Sequence, residues 1–374
     1  MRTRTLFDPL TRRPWSTRCE GSSVWVGAGP GGKEKEKPTG SAAEALALAE
    51  KDEWARLKKG ALLVNPEAAP GEPAMLRVLS GRHTGALVAS ELDGTLLTSA
   101  METVDSLCVV GADGDRVDLC AFPEGTLVWS ATASPASAEL LVLADRSVLS
   151  RATSGGGISP LSVEPSKWPN LLSVAGGRAA FCEGTSLVVV ALATRARLLH
   201  VPIAPELVGG HTWQLSAALS PDGTRLALCT EQGRLRVLEV PSGRALACFE
   251  AGFRMIPQLA FSSKGDLLFA QARYGEDALL CLALRTANGE LELTEHPGWP
   301  SAFAQSRSVA IDPRRHRVAV SHGAQVTLVD CETMTSLLHF RADHVVKACA
   351  LAFVGERLGV RTDRGCAGLY ALDT

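Results

Sequence analysis

The chain has 374 residues, 46% hydrophobic and 5% aromatic, with 35 glycines and 20 prolines. An apolar share of that size buries a core and excludes global disorder. Its 38 Lys and Arg stand against 40 Asp and Glu, a net charge of −2, which excludes both a uniformly basic nucleic-acid coat and an acidic-tail protein.

Met1 to Thr5 is followed by no apolar run, so no secretory signal is expected. The longest apolar stretch, 187–193, falls far short of the ~20 residues that span a bilayer. Ten cysteines occur without one Cys-x-x-Cys pair, mostly in apolar alternating runs such as 226–229. They read as buried free thiols in a reducing compartment, with no metal or other cofactor, and the cytoplasm is the expected location.

Residues 22–26 alternate as a strand and lead into Gly27-Ala-Gly-Pro-Gly-Gly-Lys33. This run satisfies Gly-x-Gly-x-x-Gly and nearly Gly-x-x-x-x-Gly-Lys. Phosphate cradling by either motif needs a helix N-terminus directly after the glycines. A strand-like stretch ending in Pro38 follows instead, and Glu34 stands where a Ser or Thr would hold magnesium, so a hairpin turn is expected. In a strand over 33–37, the period of two places Lys33, Lys35 and Lys37 on one face, ~6.7 Å apart, and both glutamates on the other. That face is a basic strip for phosphates or a solvated strand kept soluble by its charges.

Ser41 to Gly60 reads as a helix. Ser41 and Glu44 make a capping box, Lys58 and Lys59 complement the C-terminal dipole, and Gly60 is a stop. Ala43, Ala47, Trp54, Leu57 and Ala61 define its expected buried face. Residues 66–73, with three prolines, read as a linker between a basic module, 1–65 (net +4), and an acidic body, 74–374, with 66–374 carrying −6.

The run over residues 10–63 resembles the WGR domain family: an early tryptophan (Trp15), the Glu20-Gly21 turn, a strand, a glycine turn, a charged strand and an Ala-rich helix ending Leu57-Lys-Lys-Gly60. The resemblance implies a small α+β domain of a kind that contacts broken DNA ends beside poly(ADP-ribose) polymerases. This chain departs from the namesake triplet, with Val26-Gly27-Ala28 in the place of aromatic-Gly-Arg and Trp25 adjacent. Losing that arginine removes a bidentate phosphate donor worth ~1.5–3 kcal/mol. Trp25, Lys33, Lys35, Lys37, Lys58 and Lys59 are the candidate nucleic-acid-binding residues.

From Gly85 onward, short apolar runs alternate with Gly, Asp and Pro turns. The unit over 214–250 fits four strands and three turns. The first turn of each unit recurs at Asp93-Gly94, near Ser137, and at Gly176-Gly177, Asp222-Gly223, Lys264-Gly265, Arg314-Arg315 and Gly355, a period of about 43 residues. Four strands per period predict a mainly β, seven-bladed β-propeller. The last unit stops after its third strand, at Leu372, and Met75–Ser80 matches the missing fourth. N-terminal strand closure of the ring is therefore expected.

These units resemble the WD-repeat family in fragments: Gly210-His211 before the clearest unit, His83 and His344 in a similar phase, and Asp363 in the last tight turn. Leu238-Glu239 and Val329-Asp330 stand where the family has Trp-Asp. Apolar stacking is then expected to hold the blades, with each loop histidine hydrogen-bonded inside its own blade. Trp168 and Trp299, flanked by prolines, are candidate anchors for protein partners, or plugs that close loop ends onto the ring.

The inner strands hold almost no titratable groups, and no Gly-x-Ser-x-Gly or His-Glu-x-x-His is present. Asp113-Gly-Asp115 offers too few oxygens for calcium. The sequence thus points to a non-catalytic scaffold, a monomer without membrane contact. Its propeller faces would grip protein partners while the module docks a second one. DNA binding through the module is the alternative.

Overall fold

The computed structural model describes residues 2–29, 31–79, 87–101, 105–167, 171–203, 216–229, 234–250, 258–272, 278–303 and 305–372. Runs of the body hydrogen-bond four at a time into antiparallel sheets covering 89–121, 128–160, 172–202, 216–250, 258–295 and 308–341. Their middle strands are apolar on both faces because each sheet packs between two others. Leu187–Val190 and Leu226–Cys229 are buried throughout.

The innermost strands follow one another around an axis. Cys349–Val354 stands between those of the sixth and first sheets and returns the circuit to its start. Apolar clusters fill every gap between consecutive sheets. This is a β-propeller. The expected first turns all fall between the innermost strand of a sheet and the next one. Arginines rivet neighbouring turns along one rim, where Arg178 Nη1 donates to Gly223 O (2.6 Å) and Arg225 Nη2 to Gly265 O (3.0 Å).

Two expectations are corrected. Six four-stranded blades form rather than seven. The last three strands, Cys349–Val354, Arg357–Thr362 and Cys366–Ala371, belong to a nine-stranded sheet. In that sheet they are followed by β6 (Pro73–Val78), β5 (Leu62–Val64), β1 (Arg2–Phe7), β2 (Pro14–Glu20), β3 (Ser23–Gly27) and β4 (Glu34–Pro38). Closure by β6 occurs as expected, with Leu369 opposite Met75 and Gly368 opposite Leu76. What differs is the far edge of β6, which β5 covers through Leu63–Leu76 and Val64–Met75, so pairing continues into the N-terminal residues.

For the same reason no separate WGR-like α+β domain is evident. The Pro-rich stretch is a hydrogen-bonded turn: Asn65 N–H donates to Ala74 O (2.7 Å), Gly71 N–H to Ala371 O (2.9 Å) and Ala371 N–H to Glu72 O (3.0 Å).

Helix α1 spans Ala42–Leu57. Ser41 Oγ accepts the Glu44 N–H (3.2 Å), and the Glu44 carboxylate accepts from Gly40 (2.8 Å), one residue earlier than a standard capping box. The buried face is Ala45, Ala49, Glu53 and Leu57: of the expected set, Leu57 is buried and Trp54 and Ala61 are half-buried against the core, while Ala43 and Ala47 are exposed. The small Ala45 and Ala49 let the helix lie close on Val24 of β3, which rotates Glu53 inward.

Among the described residues no helix is long and apolar enough to cross a membrane. Seven of the ten cysteines are buried as free thiols, and burial pushes Cys182, Cys229 and Cys366 up to about 12.

Candidate functional site

Strand β1 carries Arg2 and Arg4 on the face covered by α1, and between them and the propeller lies a buried ionic cluster. Glu53 of α1 has no exposed surface; its carboxylate accepts from Arg4 Nη1 (3.0 Å) and Arg2 Nη2 (3.1 Å). The same two arginines reach Asp343 in the loop before Cys349–Val354, at 2.9 Å and 3.3 Å. Tyr370 Oη of the third strand accepts the Asp343 N–H (2.7 Å) and donates to its carboxylate (3.1 Å).

His344 Nε2 lies 2.8 Å from Glu53 Oε1. This loop histidine therefore bonds outside its own strands, contrary to the expectation. Asp363 sits in the last tight turn as expected, and its carboxylate reaches the loop before Cys349–Val354, accepting the N–H groups of Val346 (2.9 Å) and Lys347 (2.7 Å). His83, Gly210 and His211 lie outside the described residues.

Burial alone would raise the carboxyl pKa of Glu53. The hydrogen bond from His344 and the charges of Arg4 and Arg2 outweigh it and hold the group below its usual range. Asp343 likewise resists its burial, held low by Arg4. Burial, reinforced by Asp343, raises Tyr370, which stays a neutral hydrogen-bond donor.

The candidate nucleic-acid residues do not form one surface. Side chains directly opposite in an antiparallel pair share a face. Lys35 and Lys37, opposite Val26 and Val24, therefore lie on the α1 side, while Trp25, opposite Glu36, faces the other way. The Trp25 ring is covered by the Arg18 guanidinium (4.9 Å), itself paired with Glu20 and Glu34, which makes that face acidic. Lys37 is neutralised by Asp52. Lys58 is exposed beside the groove described next without lining it, and Lys35 is exposed on β4.

Two lysines do meet. Lys33 and Lys59 line a groove of about 620 Å³ with Arg13 and Arg56, against a wall that includes Trp15 and Val26. Sequence reasoning missed both arginines. Arg56 precedes Lys59 by one helical turn, a signal that was available. Arg13 sits in the loop joining β1 to β2, which is far from Lys33 in sequence, and only the fold places it there.

At the propeller axis a second concavity of about 920 Å³ opens among the innermost strands of five sheets. Its walls are mostly apolar, including Ala89, Ala133, Ala352 and Phe353, with hydroxyls from Ser90 and Thr132. Of its two acids, Glu91 is paired with Arg314 (2.9 Å) and Asp93 is exposed in the turn at its rim.

Trp299 is half-buried. Its indole N–H donates to Leu279 O (3.0 Å), and its ring meets Phe269 and Phe303 at centroid distances of 5.5 and 5.2 Å. Those are the contacts of a plug on a blade end. Trp168 lies outside the described residues. Gly27–Lys33 leads into β4 rather than a helix, as a hairpin connection, and among the described residues no group of His, Cys, Asp and Glu is placed to hold a metal.

No family model matches the chain, and no curated protein does. Among solved structures it is similar to a chain of a mitotic checkpoint complex, at TM-score 0.59 and 14% identity over 83% of this chain and 98% of that one. It is also similar to the β-propeller domain of Myceliophteria thermophila Cps50 (Swd1), at TM-score 0.58 and 11% identity over 78% and 97%. At identities this low the likeness shows the propeller fold alone.

Proposed function

We propose that the protein is a non-catalytic interaction scaffold of WD-repeat type, whose propeller binds protein partners at its axial mouth. The observation that carries this reading is the chemistry of that mouth: its walls are mostly apolar and hydroxyl side chains, and of its two acids Glu91 is tied to Arg314 and Asp93 sits exposed in the rim turn. Such a surface suits burial against a protein better than proton transfer. A neighbour drawn from a multiprotein complex supports the same reading. Residues 1–65 act as a second docking portion and 74–374 as the first, joined through 66–73 and mechanically linked by the shared sheet. The buried thiols favour a reducing compartment, the cytoplasm.

The test is affinity recovery of partners on the immobilised full chain, with and without nuclease, beside Ser90→Arg and Thr132→Arg variants at the mouth. The expected result is nuclease-resistant recovery of protein that both variants reduce while melting temperature stays unchanged. Recovery that nuclease abolishes, or that the mouth variants leave intact, contradicts the proposal.

A further inference from the structure

Four cations converge on the groove between the loop joining β1 to β2 and the C-terminal turn of α1: Arg13, Lys33, Arg56 and Lys59. All four are exposed, and none makes an ion pair with a described residue. Elsewhere in the N-terminal residues Arg2 and Arg4 pair with Glu53 and Asp343, Arg18 with Glu20 and Glu34, and Lys37 with Asp52, while Arg12, Lys35, Lys51 and Lys58 lie outside the groove without an ion pair to a described residue. The one acid lining the groove is Asp8, whose Oδ1 caps its own loop by accepting the N–H groups of Leu10 (2.9 Å) and Thr11 (2.8 Å). The groove therefore carries a local charge of +3.

Its parts are held in place before any ligand arrives. The loop bearing Arg13 is closed by Asp8 N–H to Arg13 O (3.1 Å) and Arg12 N–H to Asp8 O (2.8 Å). The Arg56 guanidinium lies 5.2 Å from the centroid of the Trp15 ring, which positions it while leaving its edge donors available. The buried Trp15 Nε1 finds no hydrogen-bond acceptor among the described residues.

We propose that this groove binds a phosphate monoester. Arg13, Lys33, Arg56 and Lys59 neutralise the dianion, and the wall containing Trp15 and Val26 takes its carbon carrier. A dianion matches several converging cations, and guanidinium forks suit phosphate oxygens. A volume of about 620 Å³ holds one phosphorylated group with a carrier the size of a side chain. The monoester reaches the groove either on a phosphorylated side chain of a protein or as a free phosphorylated small molecule. The inference does not depend on what the axial mouth binds.

The experiment is calorimetric titration of the full chain with phenyl phosphate, inorganic phosphate, and a phosphoserine peptide beside its unphosphorylated form. It is repeated on Arg13→Gln, Lys59→Gln and, as a control, Lys58→Gln, with melting temperatures recorded for each. The expected result is saturable binding of phenyl phosphate that Arg13→Gln and Lys59→Gln each weaken about tenfold and Lys58→Gln leaves unchanged. Phosphopeptide binding at least tenfold tighter than phenyl phosphate identifies a protein source; equal or weaker binding identifies a small molecule. The proposal is overturned if neither phosphorylated probe binds or if all three variants behave alike. It is equally overturned if duplex DNA binds in a groove-dependent way that phenyl phosphate cannot displace.

Discussion

His344 Nε2 meets Glu53 Oε1 at 2.8 Å across 291 positions of sequence, with both side chains almost fully buried. The contact joins the N-terminal helix to the loop that leads into the last propeller strands. Around it Arg2, Arg4 and Asp343 complete a charge cluster that neither portion could bury alone.

Glu53→Gln removes one of the two anions, Glu53 and Asp343, that the half-buried Arg2 and Arg4 share. We expect a loss of about 3–5 kcal/mol in urea unfolding, the usual cost of breaking a buried ion pair from one side. Exposed pairs such as Arg234–Glu250 should cost below about 1 kcal/mol when broken the same way.

The acid limb of stability has a defined sign. Glu53 and Asp343 are held below their ordinary values of 4.5 and 3.8, so they stabilise the fold above those values. That contribution is lost as pH falls through their folded pKa values. Wild-type stability should be flat from neutral pH down to about 5 and then fall steeply. Glu53→Gln should show a shallower acid slope. An equal slope in the two proteins would place the pH dependence elsewhere.

Leu76 of β6 is buried at the closing seam. Leu76→Ala should cost about 2–5 kcal/mol. Leu10→Ala, at a residue 93% exposed, should be within about 0.5 kcal/mol of wild type.

Trp299→Ala should lower stability by about 2–3 kcal/mol through lost ring packing and the bond to Leu279. Partner recovery should change only in proportion to the fraction unfolded. An unchanged melting temperature with lost recovery would make Trp299 an anchor after all.

Gly176 and Gly94 both have positive φ, +54° and +76°. A Cβ at Gly94 meets open space, whereas at Gly176 it would lie 2.4 Å from the backbone of Asp222 in the next blade. Gly94→Ala should cost about 1 kcal/mol from backbone strain alone. Gly176→Ala should cost at least twice that, since two blades must separate, and calorimetric melting temperatures distinguish the two.

Turns and closure were legible in the sequence because both depend on local chemistry. Asp93-Gly94 and Asp222-Gly223 mark hairpins by residue type, and 75–80 resembles an outer strand by its alternation. The face of α1 was not legible. Ala43 and Ala47 compete equally with Ala45 and Ala49, and the choice rests on Glu53, whose partners Arg2, Arg4 and Asp343 come from distant segments. The six-blade count and the nine-stranded sheet escaped notice for a related reason. Three residues, Leu62–Val64, carry the pairing across, and nothing in so short a run announces it. In the groove, Lys33 and Lys59 were named from sequence, but only the fold adds Arg13 and separates Trp25.

Hydrogen exchange across a urea series on the full chain tests most directly whether the N-terminal residues and the ring are one mechanical unit. Amides of Ala42–Leu57 and of Cys366–Ala371 should lose protection together, at one urea concentration. If the helix opens first while Cys366–Ala371 stays protected, the shared sheet and its ionic seam do not bind the two portions together.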